Sequence, residues 1–102
     1  MLKVFISQPM NQVAPADIRA TRDAAEAVIR NMYTDESEIE IIDTYFPDAD
    51  RSVKPLWYLG EAIKRLAEAD VAYFCRDWGR YRGCRIEYAC ATDYGITVIE
   101  EE

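Results

Sequence analysis

Residues 55–75, PLWYLGEAIKRLAEADVAYFC, decide the fold of this chain. Leu56, Leu59, Ile63, Leu66 and Ala67 recur at helical spacing behind Pro55, whose missing N–H costs nothing in the first turn of a helix. Asp70 closes that helix, and residues 71–75 form a short apolar run of the kind buried on both faces of a sheet. A helix feeding directly into a buried strand is half of a β-α-β unit, whose crossover forces the two strands to run parallel.

The same alternation extends in both directions. Residues 2–7 are apolar and β-branched and are cut off by Pro9, giving a first strand. In residues 17–33, Ile18, Thr21, Ala25, Val28, Ile29 and Met32 fall near helical spacing with charges between them, the pattern of an amphipathic helix. Residues 37–42 make a second strand, halted by Asp43-Thr44-Tyr45-Phe46-Pro47 and followed by a polar loop. After the third strand, the loop 76–82 holds Gly79 and leads to Gly83, and a helix is expected over 84–94 with Gly95 as its C′ cap. Residues 96–99 supply a fourth strand, and Glu100-Glu101-Glu102 reads as a solvated tail. The expectation is one α/β domain over residues 1–102. Its form is a small doubly wound, Rossmann- or flavodoxin-like sheet of four or five parallel strands in order 2-1-3-4, with helices on both faces.

Composition narrows the function. The 102 residues are half hydrophobic and 30% charged, a balance that supports a packed core. With 19 acidic and 12 basic side chains the net charge is −7, which opposes binding to a nucleic acid polymer. A small anion remains possible, because Arg76, Arg80, Arg82 and Arg85 form one dense basic cluster near a helix start. There is no histidine, and Cys75, Cys84 and Cys90 form no C-x-x-C pair, so neither zinc nor a disulfide scaffold is expected. No apolar run approaches the roughly 20 residues that span a bilayer, and MLKVFISQPM carries no signal-peptide core. A reduced cytoplasm is the expected location.

Ligands of doubly wound sheets bind beyond the carboxyl ends of the strands, where strand order reverses. Here that crevice lies between strands 1 and 3. Ser7, Gln8, Pro9 and Met10 follow strand 1, residues 43–47 follow strand 2, residues 76–82 follow strand 3, and Gly83-Cys84-Arg85-Ile86-Glu87 opens the last helix. Placed in the first turn, Glu87 would meet free backbone N–H groups and the helix dipole, and is expected to be ionised at neutral pH. Such a carboxylate can attack an electrophilic sugar carbon, or it can simply cap the helix.

The stretch Gly83-Cys84-Arg85-Ile86-Glu87-Tyr88-Ala89-Cys90-Ala91 resembles the glycine-to-glutamate helix start of the nucleoside 2-deoxyribosyltransferases, in which the glutamate is the nucleophile. Phe5-Ile6-Ser7, Ile42-Asp43-Thr44-Tyr45 and Ala69-Asp70-Val71-Ala72 match in the same order, and residues 54–74 are similar to a short bacterial and phage-type branch of that superfamily. The resemblance implies cleavage or exchange of the N-glycosidic bond of a 2′-deoxynucleoside or its 5′-monophosphate, with Glu87 as nucleophile and no metal or organic cofactor. It also implies a homodimer or higher homo-oligomer, with residues 56–59 as a contact.

Two positions depart from the family pattern. Ala62 stands where relatives carry a helix aspartate, with Glu61 beside it, and Tyr81 stands where they carry a polar or acidic residue. The acid that protonates the departing base is therefore sought elsewhere, first at Asp77 and second at Asp43, either of which a water-poor crevice would raise in pKa. Ser7, Gln8, Pro9, Met10, Tyr45 and Gly83 are candidates for contact with the sugar, base or phosphate, and Arg82 and Arg85 for a grip on a 5′-phosphate or a charged rim. Tyr45, Phe46, Trp57 and Tyr58 can stack on a base, though Trp57 and Tyr58 also suit helix packing or a subunit contact. Asp70 precedes a strand and is expected to be structural. Cys84, at a helix start beside arginines, is a thiol whose pKa can be lowered. The alternative to an enzyme is a nucleotide-binding module that has kept the crevice and lost the acid machinery.

Overall fold

A computed structural model describes residues 1–10, 13–35, 38–44 and 54–101. Four strands, β1 (Leu2–Ser7), β2 (Ile39–Ile42), β3 (Val71–Phe74) and β4 (Thr97–Glu100), form one parallel sheet in the order β2-β1-β3-β4, as expected. Three helices connect them: α1 (Pro15–Met32), α2 (Pro55–Leu66) and α3 (Arg82–Asp93). The path moves outward from β1 to β2, then reverses towards β3 and β4. Connections of a single hand must therefore put α1 on one face and α2 and α3 on the other.

The core divides accordingly. Val4, Ile6, Val71, Tyr73 and Cys75 pack on Ala25 and Ile29 of α1. The intervening residues Phe5, Ala72 and Phe74 point the other way, onto Ala62 and Leu66 of α2 and Ala91 of α3. This alternation is the two-residue period of a strand, and β3 is buried at every position because both its faces are covered. Pairing of Val4 with Val71 and Ser7 with Phe74 brings the ends of β1 and β3 level. At the opposite end Asp70 is structural but does not close α2, which ends at Leu66 with Ala67 as its C-cap. Its Oδ2 accepts from the Lys3 amide at 2.8 Å and its own amide donates to the Lys3 carbonyl at 2.8 Å, stitching the two strand entrances together.

Three local expectations are corrected. First, α3 begins at Arg82 instead of residue 84: Tyr81 is the extended N-cap residue, its carbonyl accepts from the Arg85 amide at 3.0 Å, and Gly83 lies inside the first turn. Second, Thr21, Val28 and Met32 of α1 are exposed, and the buried residues are Ile18, Ala25 and Ile29. Third, Glu100 and Glu101 are not part of a free tail. Glu100 belongs to β4 and accepts from Trp78 Nε1 and Tyr88 Oη, both at 3.3 Å, while the Glu101 amide donates to the Phe74 carbonyl at 2.8 Å. The rings of Trp78 and Tyr88 stack at 4.2 Å, so the carboxylate caps an aromatic pair that bridges the β3–α3 loop and α3.

Gly95 has φ +76°, its amide donates to the Thr92 carbonyl, and the next amide, of Ile96, donates to the Ala91 carbonyl at 2.9 Å. These bonds satisfy the last carbonyls of α3 in the Schellman arrangement, where a side chain is strained. Gly60, in contrast, sits within α2 with open space where a Cβ would project. Gly95→Ala is expected to destabilise the domain by about 1 kcal/mol and Gly60→Ala to stabilise it by about 0.5–1 kcal/mol, read as opposite shifts in urea midpoint.

Candidate active site

The buried polar side chains among the described residues are Ser7, Gln8, Thr44 and Glu87, and all four belong to the carboxyl end of the sheet. Ser7 and Gln8 end β1, Thr44 lies two residues past β2, and Glu87 reaches in from α3. Burying such groups is costly unless they are paired. Here they pair with one another and with Arg22, and no buried side-chain polar atom among the described residues lacks a partner.

Glu87 is 9% exposed, and its Oε1 accepts a 2.6 Å hydrogen bond from Ser7 Oγ. It occupies the buried stripe of α3 together with Cys84 and Ala91, spacings of three and four residues that line one helix face. Because α3 starts at Arg82, Glu87 falls in the second turn, past the unpaired amides that were expected to hold it charged. Burial prevails instead and pushes its carboxyl up to about 7, against the opposing pull of the Ser7 hydroxyl and the Arg22 charge. The expected fully ionised carboxylate is thus replaced by one poised between its two forms at neutrality.

Thr44, expected there only as part of the loop after β2, and Arg22, which the sequence did not single out, both belong to this cluster. Arg22 Nε donates to Gln8 Oε1 at 3.0 Å, one terminal nitrogen to the Ile42 carbonyl at 3.3 Å, and the other to Thr44 Oγ1 at 2.6 Å. Gln8 Nε2 in turn donates to the Ile18 carbonyl at 2.9 Å. A signal was present: Arg22 lies four residues after Ile18 and three before Ala25, on the buried stripe of α1. A cation on an apolar stripe needs acceptors, and the ends of β1 and β2 supply them.

The remaining candidates are placed less centrally. Pro9 and Met10 are half-buried beyond Gln8, and Gly83 is half-buried in the first turn of α3. Asp77 and Asp43 are both exposed, so the water-poor surroundings expected of them are not found. Asp77 adopts a left-handed backbone at φ 68°, with its side chain 54% exposed and 3.9 Å from Arg80 Nε. Asp43 contributes its charge to Arg22. Arg82 and Arg85 are exposed, and Arg85 donates to the Gly79 carbonyl at 3.1 Å, bracing its own loop. Cys84 is buried, and burial pushes its thiol up to about 11, opposite to the lowering expected from the helix start. Tyr45 and Phe46 lie outside the described residues.

Among the described residues no three histidine, cysteine, aspartate or glutamate side chains gather as a metal site, and no helix is long and apolar enough to cross a membrane. The chain matches no model of a known protein family, no curated protein and no solved structure.

A carboxyl raised by burial makes the folded state bind a proton more tightly than the unfolded chain does. Its favourable contribution is complete below pH 4.5, the unfolded value, and is lost as pH rises through about 7. Glu87→Gln keeps an acceptor for Ser7 and removes this loss. The variant is expected to gain on the wild type by up to about 3 kcal/mol above pH 7 and to show no such gain at pH 4, measured by urea unfolding at the two pH values.

Proposed function

We propose that this crevice cleaves or exchanges the N-glycosidic bond of a 2′-deoxynucleoside or its 5′-monophosphate, with Glu87 as the nucleophile. The observation that carries the reading is a buried carboxyl at the strand-order reversal, hydrogen-bonded by a serine hydroxyl and balanced by a half-buried arginine. The resemblance of residues 83–91 to the deoxyribosyltransferase helix supplies the substrate class.

In the proposed reaction the Glu87 carboxylate bonds to C1′ as the C1′–N bond breaks, and the electron pair leaves with the base. The resulting glycosyl ester is cleaved by the nitrogen of a second base, giving exchange, or by water, giving hydrolysis. The departing nitrogen takes a proton. Asp77, in the loop after β3, remains the first candidate to supply it and Asp43, after β2, the second, each on the rim where a bound base would cover it. Ser7 weakens in its support as Glu87 becomes an ester, so its hydrogen bond favours the carboxylate over the intermediate and helps the ester to break down. Pro9, Met10 and Gly83 line the approach, and Arg82 and Arg85 form a basic rim suited to a 5′-phosphate.

Nucleophilic attack requires the ionised form. The kcat/KM of the free protein is therefore expected to rise with pH through about 7 and to level off above it, with Glu87→Ala abolishing turnover. Ser7→Ala removes a hydrogen bond to the charged form and is expected to move the rise in kcat/KM to higher pH and, by slowing breakdown of the ester, to lower kcat roughly 10- to 100-fold. Chromatography of base released or exchanged from each deoxynucleoside and deoxynucleoside monophosphate provides the assay, and turnover that survives Glu87→Ala removes Glu87 from the mechanism.

One observation favours the second reading, a non-catalytic nucleotide-binding module: Glu87 is the sole buried carboxyl among the described residues, with both acid candidates exposed. Nucleotide binding without turnover in the same assay would select it. For either reading we propose a cytoplasmic homo-oligomer, because Leu56 is 74% exposed at the start of α2 beside the edge-to-face pair of Trp57 and Tyr58. Light scattering at micromolar concentration is expected to give at least a dimer, and Leu56→Asp a monomer.

A further inference from the structure

We infer that Arg22 is the positioning residue of this crevice: from the buried stripe of α1 it ties the carboxyl ends of β1 and β2 together and sets a fixed positive charge opposite Glu87. Its role in a reaction rests on the reading of Glu87 as nucleophile, but its geometry does not.

Three nitrogen positions of one planar guanidinium reach three acceptors from two strands: Gln8 Oε1 beyond β1, and the Ile42 carbonyl and Thr44 Oγ1 at the end of β2. Gln8 is held at both ends of its amide, since its Nε2 is bound to the Ile18 carbonyl one turn back along α1. Gln8 follows Ser7 directly, and Ser7 Oγ is the group that meets Glu87 at 2.6 Å. A shift of Gln8 therefore displaces the backbone that aims the serine. The fork geometry matters, because a lysine offers a single charged point and cannot hold three divergent acceptors at once.

The charge acts in the same direction. Glu87 meets Ser7 from β1, Arg22 from α1 and Cys84 from its own helix. Arg22 meets Asp43 beyond β2, Cys75 beyond β3, Glu26 on α1 and Glu87 itself. Burial weighs against the guanidinium and the carboxylates among these neighbours offset it in part, while burial keeps both thiols protonated and uncharged, Cys75 at about 12 and Cys84 at about 11. Arg22 is accordingly the one cation acting on Glu87 among the described residues.

The test follows the Glu87 side-chain carboxyl by carbon-detected NMR across a pH series, the signal being assigned by its loss in Glu87→Gln. The chain has no imidazole to crowd the neutral range. In Arg22→Gln the Glu87 midpoint is expected to rise by about one pH unit, while Arg22→Lys keeps the midpoint near wild type but releases the Gln8 side-chain amide to fast hydrogen exchange. An Arg22→Gln midpoint equal to wild type overturns the inference, as does a Gln8 amide that stays protected in Arg22→Lys. Should Arg22→Gln fail to fold, the wild-type protein decides: the Arg22 Nε–H signal is expected to shift with the Glu87 midpoint, and a signal that stays flat through that midpoint overturns the inference. None of these readouts uses turnover, so absence of glycosyl transfer would count against the proposed reaction and leave this inference to its own data.

Discussion

The contact between the Ser7 hydroxyl and the Glu87 carboxyl joins the sheet to its last helix at the place where the strand order reverses. A carboxyl removed from water is stable only if donors support its charge or a proton neutralises it. Glu87 has one close hydroxyl donor and one neighbouring cation, and the result is a group poised near neutrality. The parallel register that brings Ser7 level with Phe74, and the packing of Ala91 that fixes the rotation of α3, are what keep this carboxyl in the crevice. Any rotation of α3 that carried Glu87 to solvent would carry Cys84 and Ala91 with it, since the three share a stripe.

The same design recurs on the other face. Arg22 interrupts the apolar stripe of α1 much as Glu87 interrupts that of α3, and the two helices lie on opposite sides of the sheet. Each charge is carried on a face that otherwise packs the core, near the same end of the strands. Charged side chains are rarely buried without a use or a partner. Two opposite charges reaching from two layers toward the carboxyl ends of the strands make a polar cluster inside an otherwise apolar construction, at the end of the sheet where α/β proteins bind their ligands.

The fold was legible because its signals are redundant. Buried strands such as residues 71–74 read as unbroken apolar runs, Pro55 marks a helix start, and Gly95 marks a helix end. Parallel pairing follows once strands and helices alternate, and crossover handedness then assigns each helix its face of the sheet. Of the buried polar cluster, Ser7, Gln8 and Glu87 were legible, the first two at the end of β1 and Glu87 within the first two turns of α3. The reading went astray where burial outweighed local sequence. The pKa of Glu87 was judged from the helix terminus, yet desolvation outweighs it, and the same reversal applies to Cys84. Arg22 is hard to see in the sequence because the apolar pattern of Ile18, Ala25 and Ile29 continues into Thr21, Val28 and Met32, a flank that the structure leaves exposed. A run of charges gives no sign of a strand end, yet Glu100 closes β4 while staying exposed, and the Glu101 amide is held by the Phe74 carbonyl.

The central claim is that the Glu87 carboxylate forms a bond to a sugar. A 2′-fluoro-2′-deoxynucleoside tests it directly, because the electron-withdrawing fluorine slows breakdown of a glycosyl ester more than it obscures its formation. After incubation above pH 7 and proteolysis, mass spectrometry is expected to find one fluorosugar on the peptide that carries Glu87, with fragment ions placing it on that side chain. Release of base with this peptide unmodified, or a sugar attached to any other residue, would contradict the account.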